Sequence, residues 1–482
     1  MRPQVVFRYL GVALLLNGAF MCLAAGVSLV TGDRAFMALL YGGLVTLLFG
    51  AFPLVFVPRT EDLSSKEGVS VVVGAWLMSC VFGMIPYLLW GGPFSLTNAW
   101  FESVSGYTTT GASILTDIEA LPPGLLFWRA ATHWLGGIGI ILFVLAVLPF
   151  LGLAEMVLFR SEVSPIVLDS FRKQSRHAVR ILWGVYCSLT LLETAALMLC
   201  GLGLFDAVTH AFATIATGGF SVRNASIAHF DSLAVEVVVS VFMVVSGLHF
   251  GLLYGAVTGR WRDLYHSTVV RYYLGSMAVA ALVVTALLHG PLGWAQALRQ
   301  AVFQVVTLGT STGFATADSS VWPPLAQLLL VVMTLQCACS GSTSGGIKVD
   351  RVVIFGKALW IRIQRLMHPN AAISLKLDGR ALVEVAVGRV LLFILTYMGV
   401  VLVSTALLAA MDVDLITAFS GSAACMGGVG PGLGAVGSMA NYGHLPPAAK
   451  WVLSVTMLTG RVEIYTLFLF LAPGHWRRAT SY

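Results

Sequence analysis

Four short segments rich in glycine and hydroxyl side chains carry the residue pattern most suited to chemistry. They are NAWFESVSGYTTTGAS (98–113), DAVTHAFATIATGGFS (206–221), QAVFQVVTLGTSTGFA (300–315) and TAFSGSAACMGGVGPG (417–432). Aligned without gaps on Ala99, Ala207, Ala301 and Ala418, each places a glycine twelve residues later, at Gly111, Gly219, Gly313 and Gly430. Glycine permits positive φ and close approach of the backbone to a ligand. Carbonyls turned inward from four such loops, with hydroxyls beside them, can replace the hydration shell of a cation. The candidate ion-coordinating set is Thr109, Thr110 and Gly111; Thr217, Gly218 and Gly219; Ser311, Thr312 and Gly313; and Gly428, Val429 and Gly430. A cation would meet Thr110, Gly111, Gly218, Gly219, Thr312, Gly313, Val429 and Gly430. The competing reading is four ordinary water-facing loops with turn glycines, which leaves the shared register unexplained.

Such loops need elements that hold them at membrane depth, and the composition supplies these. Of the 482 residues, 58% are hydrophobic and 10% charged, with mean hydropathy +0.88. Soluble domains average about 25% charged residues, so the chain reads as an all-α integral membrane protein. Apolar runs near the ~20 residues needed to cross a bilayer recur along its length. The first, FRYLGVALLLNGAFMCLAAGVSLV, has no A-x-A-like cleavage site, is followed at once by a second span, and reads as a retained helix. Around each glycine the order is span, short helix, Gly/Thr loop, span. Asn98, Asp206 and Thr417 suit caps for helices of about ten residues, too short to cross, which must re-enter. The expected organisation is two additional helices over 1–65, then span–pore helix–span units at 66–160, 161–262, 263–380 and 381–482 around a central pore.

Basic residues orient the chain. Loops alternating along the sequence hold 22 Lys and Arg on one side and five on the other (Arg34, Arg129, Arg223, Arg299 and Lys450), leaving Arg461. The positive-inside rule puts both termini and the rich set in the cytoplasm. The same rule accounts for the net charge of +6, so no nucleic acid need be invoked.

Two further features lie beyond the glycine loops. In QCACSGSTSGGIKVD, the run Ser340, Gly341, Ser342, Thr343, Ser344, Gly345 and Gly346 has no side chain larger than threonine. Helix is disfavoured there, and a helix length after Gly313 it should unwind beneath the loops. In TMLTGRVEIYTLF, Arg461 and Glu463 fall inside an apolar run. Ionisable residues within a span are rare and default to function. Arg461 is expected to face the pore as a positive barrier, Glu463 a neighbouring helix or the cytoplasm. Lys348 is expected to snorkel to the cytoplasmic surface.

Together ESVSGYTTTGAS, FATIATGGFS, TLGTSTGFAT, GGVGPG, GSTSGGIK and GRVEIYTLF resemble segments of the TrkH/TrkG group of bacterial potassium-uptake proteins. That group lies in a superfamily with KtrB and the plant HKT transporters, and the resemblance spans nearly the whole chain. It implies a multi-pass protein of the bacterial inner membrane and a homodimer paired with a cytoplasmic nucleotide-binding ring of the TrkA type. The conducted ion would be K⁺, with no nucleotide bound by this chain itself. It also implies that the segment matching 340–346 blocks the pore and moves on gating, and that Arg461 matches a family arginine. The four loops nevertheless read TTGA, TGGF, STGF and GVGP, sharing only the glycine, which points to modest discrimination of potassium from sodium.

The remaining signals are blander. The seven cysteines form no CxxC pair and suit small buried hydrophobes. GGVGPGLG follows no strand, so it is a poor dinucleotide fingerprint. His133, His210 and His249 lack metal spacing. Glu102 could focus cations or cap a helix. The basic stretch 351–380 could dock the ring or anionic lipid. A Na⁺- or H⁺-coupled potassium carrier is the alternative, with Glu193 and Glu236 the nearest candidates for a relay. An enzyme would need a nucleophile beside a base, and no such motif occurs.

Overall fold

The computed structural model describes residues 2–58, 64–147, 171–369 and 373–476. The expected unit boundary at 160/161 and the orienting residues Arg59, Arg160, Arg477 and Arg478 lie outside them.

The described chain is nearly all helix. A two-residue antiparallel pair, Lys376–Leu377 with Arg380–Ala381, is its one sheet among the described residues. Six helices are long and apolar enough to cross a membrane, or up to eight if each of two bent pairs counts as one span. The first two, α1 (Pro3–Thr31) and α2 (Phe36–Phe56), pack on each other through glycines. A Cβ on Gly18 or Gly50 would run into the partner helix. A chain without an apolar force between helices in lipid uses such small residues to bring backbones together. α3 (Ser65–Gly83) begins with a capping box in which Ser64 and Glu67 each accept from the other's backbone N–H. Arg2 closes on Glu67 at 2.9 Å and ties the chain start to it. The short α4 (Ile85–Trp90) continues this span.

Four short helices follow: α5 (Leu96–Tyr107), α8 (Leu204–Ile215), α13 (Trp294–Gly309) and α17 (Leu415–Gly427). Each stands between a preceding span and a following one. The preceding spans are α3 with α4, α7 (Phe171–Leu199), α12 (Thr268–Leu292) and α16 (Glu384–Ala409). The following helix of the first unit, α6 (Pro123–Val147), is continuous. The other three are broken. α9 (Leu233–Ser246) meets α10 (Phe250–Gly255) and α11 (Trp261–His266) across a 102° bend. α14 (Pro324–Gln336) is separated from α15 (Val349–Met367) by twelve non-helical residues. α18 (Pro447–Arg461) meets α19 (Ile464–Leu471) at 111°.

The short helices start three residues earlier than the expected caps. Ser95 and Asp414 are extended and accept from backbone N–H groups, Ser95 from Asn98 and Asp414 from Ile416 and Thr417. Gly203 precedes α8. Asn98 and Asp206 therefore sit inside first turns, where Asn98 bonds Pro93 and Lys450 and Asp206 pairs with Arg223 at 2.7 Å. Thr417 instead accepts from Ala435 N–H. The helices run 12, 12, 16 and 13 residues rather than about ten.

Candidate functional site

All four short helices end alike. The residues two before the register glycines, Thr109, Thr217, Ser311 and Gly428, have φ of 52°, 52°, 58° and 63°. Their N–H groups bond three residues back, to Gly106, Thr214, Leu308 and Cys425. The next N–H groups, of Thr110, Gly218, Thr312 and Val429, bond five back, to Ser105, Ala213, Thr307 and Ala424, at 2.8–2.9 Å. This is a Schellman ending repeated four times. It costs three non-glycine residues a left-handed conformation, strain that the surroundings must hold in place.

The register glycines then close a ring. They have φ of 79°, 78°, 83° and 88°. A Cβ on Gly111 would strike the Gly218 carbonyl oxygen, one on Gly219 that of Thr312, one on Gly313 that of Val429, and one on Gly430 that of Thr110. Each unit's glycine thus abuts the preceding carbonyl of the next unit, in chain order, and the fourth returns to the first. Among the described residues no backbone N–H donates to these four carbonyls. A ring of carbonyls that receive no backbone N–H and are held by backbone contact is a set of oxygens available to a dehydrated cation. The hydroxyls fall into a twofold pattern: Thr108 with Thr110, and Thr310 with Thr312, both at 2.8 Å, in the first and third units.

The small-residue segment lies against this ring from the other side. Thr343 Oγ1 donates to the Ile215 carbonyl and Thr217 Oγ1 donates to Thr343 Oγ1. Ser311 Oγ donates to Ser344 Oγ at 2.9 Å and accepts from Gly345 N–H. A Cβ on Gly345 would strike the Gly427 carbonyl. The segment therefore touches the second, third and fourth units. Asp350 holds its start, accepting from Ser340 N–H and Oγ; Phe250 N–H donates to the Gly341 carbonyl, and Gly346 packs on Cys337.

Arg461, 4% exposed, completes the contact. Its Nη1 donates to the Thr343 carbonyl at 2.6 Å and its Nη2 to the Gly136 carbonyl of α6 at 3.2 Å. Glu463 does not reach it and pairs with Arg351 at 3.4 Å. The guanidinium charge thus faces carbonyl dipoles and no carboxylate within ion-pair reach among the described residues.

The model of the TrkH family, described as a cation transport protein, matches residues 36–476. The chain belongs to the TrkH family. This is a transport family and not an enzyme family. The Trk system potassium uptake protein TrkH of Escherichia coli K12 is 36% identical, covering 99% of this chain and all of that one. The TrkG protein of the same organism is 31% identical over 86% of each. The crystal structure of the potassium transporter TrkH from Vibrio parahaemolyticus superposes with a TM-score of 0.90 at 34% identity, covering 99% of this chain and all of that one. The all-helical membrane fold of the family is therefore the fold of this chain.

Several residues of this TrkH-family chain sit differently from the sequence reading. Lys348 does not snorkel: it is buried, has φ 74°, and begins α15, while Glu463 with φ 64° begins α19 in the next unit. The two positions are the same turn in two units, although the residues around them, Ile347 and Val349 against Val462 and Ile464, show no motif for it. His133 and His210, which lack metal spacing in the sequence, are buried and hydrogen-bonded. His133 Nδ1–H donates to the Gly106 carbonyl while its Nε2 accepts from Phe220 N–H; His210 bonds the Asp206 carbonyl and Ser221 Oγ. His249 caps α10. Sequence reasoning missed Tyr442, whose hydroxyl donates to the Gly430 carbonyl at 2.6 Å. It also left Glu102 open and counted Arg129 only as an outer-side charge; the two form a 2.6 Å pair with 0% and 2% exposure. Equal spacing in the repeat was the available signal, because Glu102, His210 and Gln304 occupy one register position, three after the aligned alanine.

Proposed function

We propose that this chain carries potassium across the bacterial inner membrane through a channel-like pore. Thr109–Gly111, Thr217–Gly219, Ser311–Gly313 and Gly428–Gly430 form the filter, Ser340–Gly346 the gate, and Arg461 a barrier beneath it. The observation that carries this reading is the closed ring in which each register glycine abuts a carbonyl of the next unit that receives no backbone N–H among the described residues. The potassium-uptake names of the relatives support the choice of ion. In this reading the four units begin near residues 66, 161, 263 and 381, both termini are cytoplasmic, and the protein works as a homodimer gated by a TrkA-type nucleotide-binding ring.

The coupled-carrier alternative needs a relay of intramembrane carboxylates. Glu193 is buried, but Glu236 is paired with Arg299 at 2.8 Å, so the second relay member is already committed. The test is uptake of K⁺, Rb⁺ and Na⁺ in a bacterium lacking its own potassium uptake. Gly111→Ser, Gly219→Ser, Gly313→Ser and Gly430→Ser each put a Cβ into a neighbouring carbonyl. Each is expected to raise the half-saturating K⁺ concentration or to admit Na⁺ while the protein still inserts. Parental K⁺ and Na⁺ uptake in all four would remove the filter from these loops.

A further inference from the structure

Behind the ring, the four seams between units are braced by different groups. The second and third units are joined there by Ser226, which accepts from Ala315 N–H, and by Ala228 N–H donating to the Ala315 carbonyl. Ser438 joins the third and fourth, accepting from Ser319 N–H and donating to the Ala317 carbonyl. Tyr442 joins the fourth and first, its N–H donating to the Ser113 carbonyl. These groups are neutral; the second and third units are also joined by Arg299, about a third exposed, which pairs with Glu236 and Asp231. The first seam holds the buried ion pair of Glu102 on α5 and Arg129 on α6.

The pair reaches both loops at once. Glu102 accepts from Ile114 N–H at 3.0 Å and Ser113 Oγ at 3.0 Å, tying down the chain that leaves Gly111. Arg129 gives Nε–H to Glu102 at 2.6 Å and Nη1–H to the Ser221 carbonyl at 2.9 Å, on the chain that leaves Gly219. Its guanidinium lies 3.6 Å from the Phe220 ring centre. One helical turn on, His133 takes the Phe220 N–H, and a Cβ on Gly218 would strike its ring. A planar fork that addresses a carboxylate, a carbonyl and an aromatic face together is a property of arginine that lysine lacks. Two charges in a water-poor site keep each other there, since an unpaired one is costly.

We propose that Glu102 and Arg129 are positioning residues that fix the seam between the first two filter loops and thereby set how well the pore separates K⁺ from Na⁺. They touch no ion; they act through the loops leaving Gly111 and Gly219. The inference rests on the filter reading above. The role goes beyond stability, because the hydrogen-bonded groups, at Ser113, Ile114 and Ser221, lie two or three residues past two ring glycines.

The experiment compares K⁺ and Na⁺ uptake of the full-length protein in cells and in vesicles, normalised to folded protein. The variants are Glu102→Gln, Arg129→Lys and the double Glu102→Gln/Arg129→Gln, with Gly111→Ser alongside. Arg129→Lys keeps the charge and loses the fork. It is expected to lower the K⁺/Na⁺ ratio and raise the half-saturating K⁺ concentration by about two- to tenfold, the range that loss of one net hydrogen bond allows. The double variant leaves no orphaned charge and is expected to stay impaired. Folded Arg129→Lys with parental ratio and half-saturation overturns the proposal, as does a double variant restored to the parental ratio, since the pair then only neutralises itself. If Gly111→Ser is also parental, the filter reading has failed; if Gly111→Ser is impaired while the pair variants are not, the positioning role alone has failed.

Discussion

Removal of the Arg461 side chain separates a pore barrier from a lipid-facing anchor. In the structure the guanidinium donates to two carbonyls, Thr343 in the small-residue segment and Gly136 on α6, and has no carboxylate partner among the described residues. Two effects of Arg461→Ala therefore add. The first is electrostatic: a K⁺ passing ~6–10 Å from a unit positive charge meets about 2–3 kcal/mol of repulsion at an effective dielectric near 20. The second is mechanical. A charge-assisted hydrogen bond is worth roughly 1.5–3 kcal/mol, and the one to Thr343 O holds the segment against the ring. Losing either favours conduction, so the rate is expected to rise by about tenfold or more, each ~1.4 kcal/mol being a factor of ten.

Arg461→Lys distinguishes the two effects. Lysine keeps the charge but as a point donor, and cannot keep the forked pair of bonds. Its rate is expected between those of the parent and the alanine variant. The assay is ⁸⁶Rb⁺ or K⁺ flux in proteoliposomes, or unitary conductance, normalised to folded protein. An unchanged rate per folded molecule in Arg461→Ala refutes the reasoning and leaves arginine a structural tie between α6 and the segment.

Deletion of Gly341–Gly345 removes the Thr343 and Ser344 contacts to Ile215, Thr217 and Ser311, and flux without a regulatory partner is expected to increase; equal flux in deletion and parent counts against a gate. Asp414→Ala removes the cap of α17, which accepts from two backbone N–H groups, and is expected to destabilise by about 1 kcal/mol, read as a lower thermal midpoint in detergent. The Asp414 bonds to Thr417 and Ile416 hold its carboxyl below the usual range. That contribution is present above the ordinary carboxylate pKa and is lost as the pH falls through the depressed value. The midpoint gap between parent and Asp414→Ala should therefore narrow in strong acid.

The fold was legible where the sequence repeats. Ala99, Ala207, Ala301 and Ala418 set one register, and the glycines twelve residues on all adopt positive φ. Spans were legible from apolar length. Helix starts were not, because Asn98, Asp206 and Thr417 are good caps by type. The chain prefers Ser95 and Asp414, whose extended backbone aims the side-chain oxygen at the first turn. The identity of partners was least legible. Glu102 and Arg129 are 27 residues apart and meet only because α5 and α6 pack together. Lys348 reads as a cytoplasmic charge from its basic neighbours, while its burial follows from the break between α14 and α15. Positive-inside counting treats charges as a sum over loops and is blind to any one of them turning inward.

The ring is fourfold in backbone and less symmetrical in chemistry, and that difference bears on selectivity. Four Schellman endings and four glycine contacts fix where the Thr110, Gly218, Thr312 and Val429 carbonyls stand, whatever side chains follow. Behind that frame each unit is braced by other means. Thr108 and Thr110 pair in the first unit, Thr310 and Thr312 in the third. In the second, Phe220 N–H is held by His133 and the Ser221 carbonyl by Arg129. In the fourth, Tyr442 engages the Gly430 carbonyl, drawing on a lone pair that an ion would otherwise share. The glycine carbonyls at 111, 219 and 313 accept no such bond among the described residues. Unequal bracing gives oxygens of unequal field strength and stiffness, and a filter discriminates between K⁺ and Na⁺ by the number and field of its coordinating carbonyls or by the fit of its cavity. In the filter proposed above, a backbone ring with unlike supports coordinates a cation less uniformly than four identical loops would.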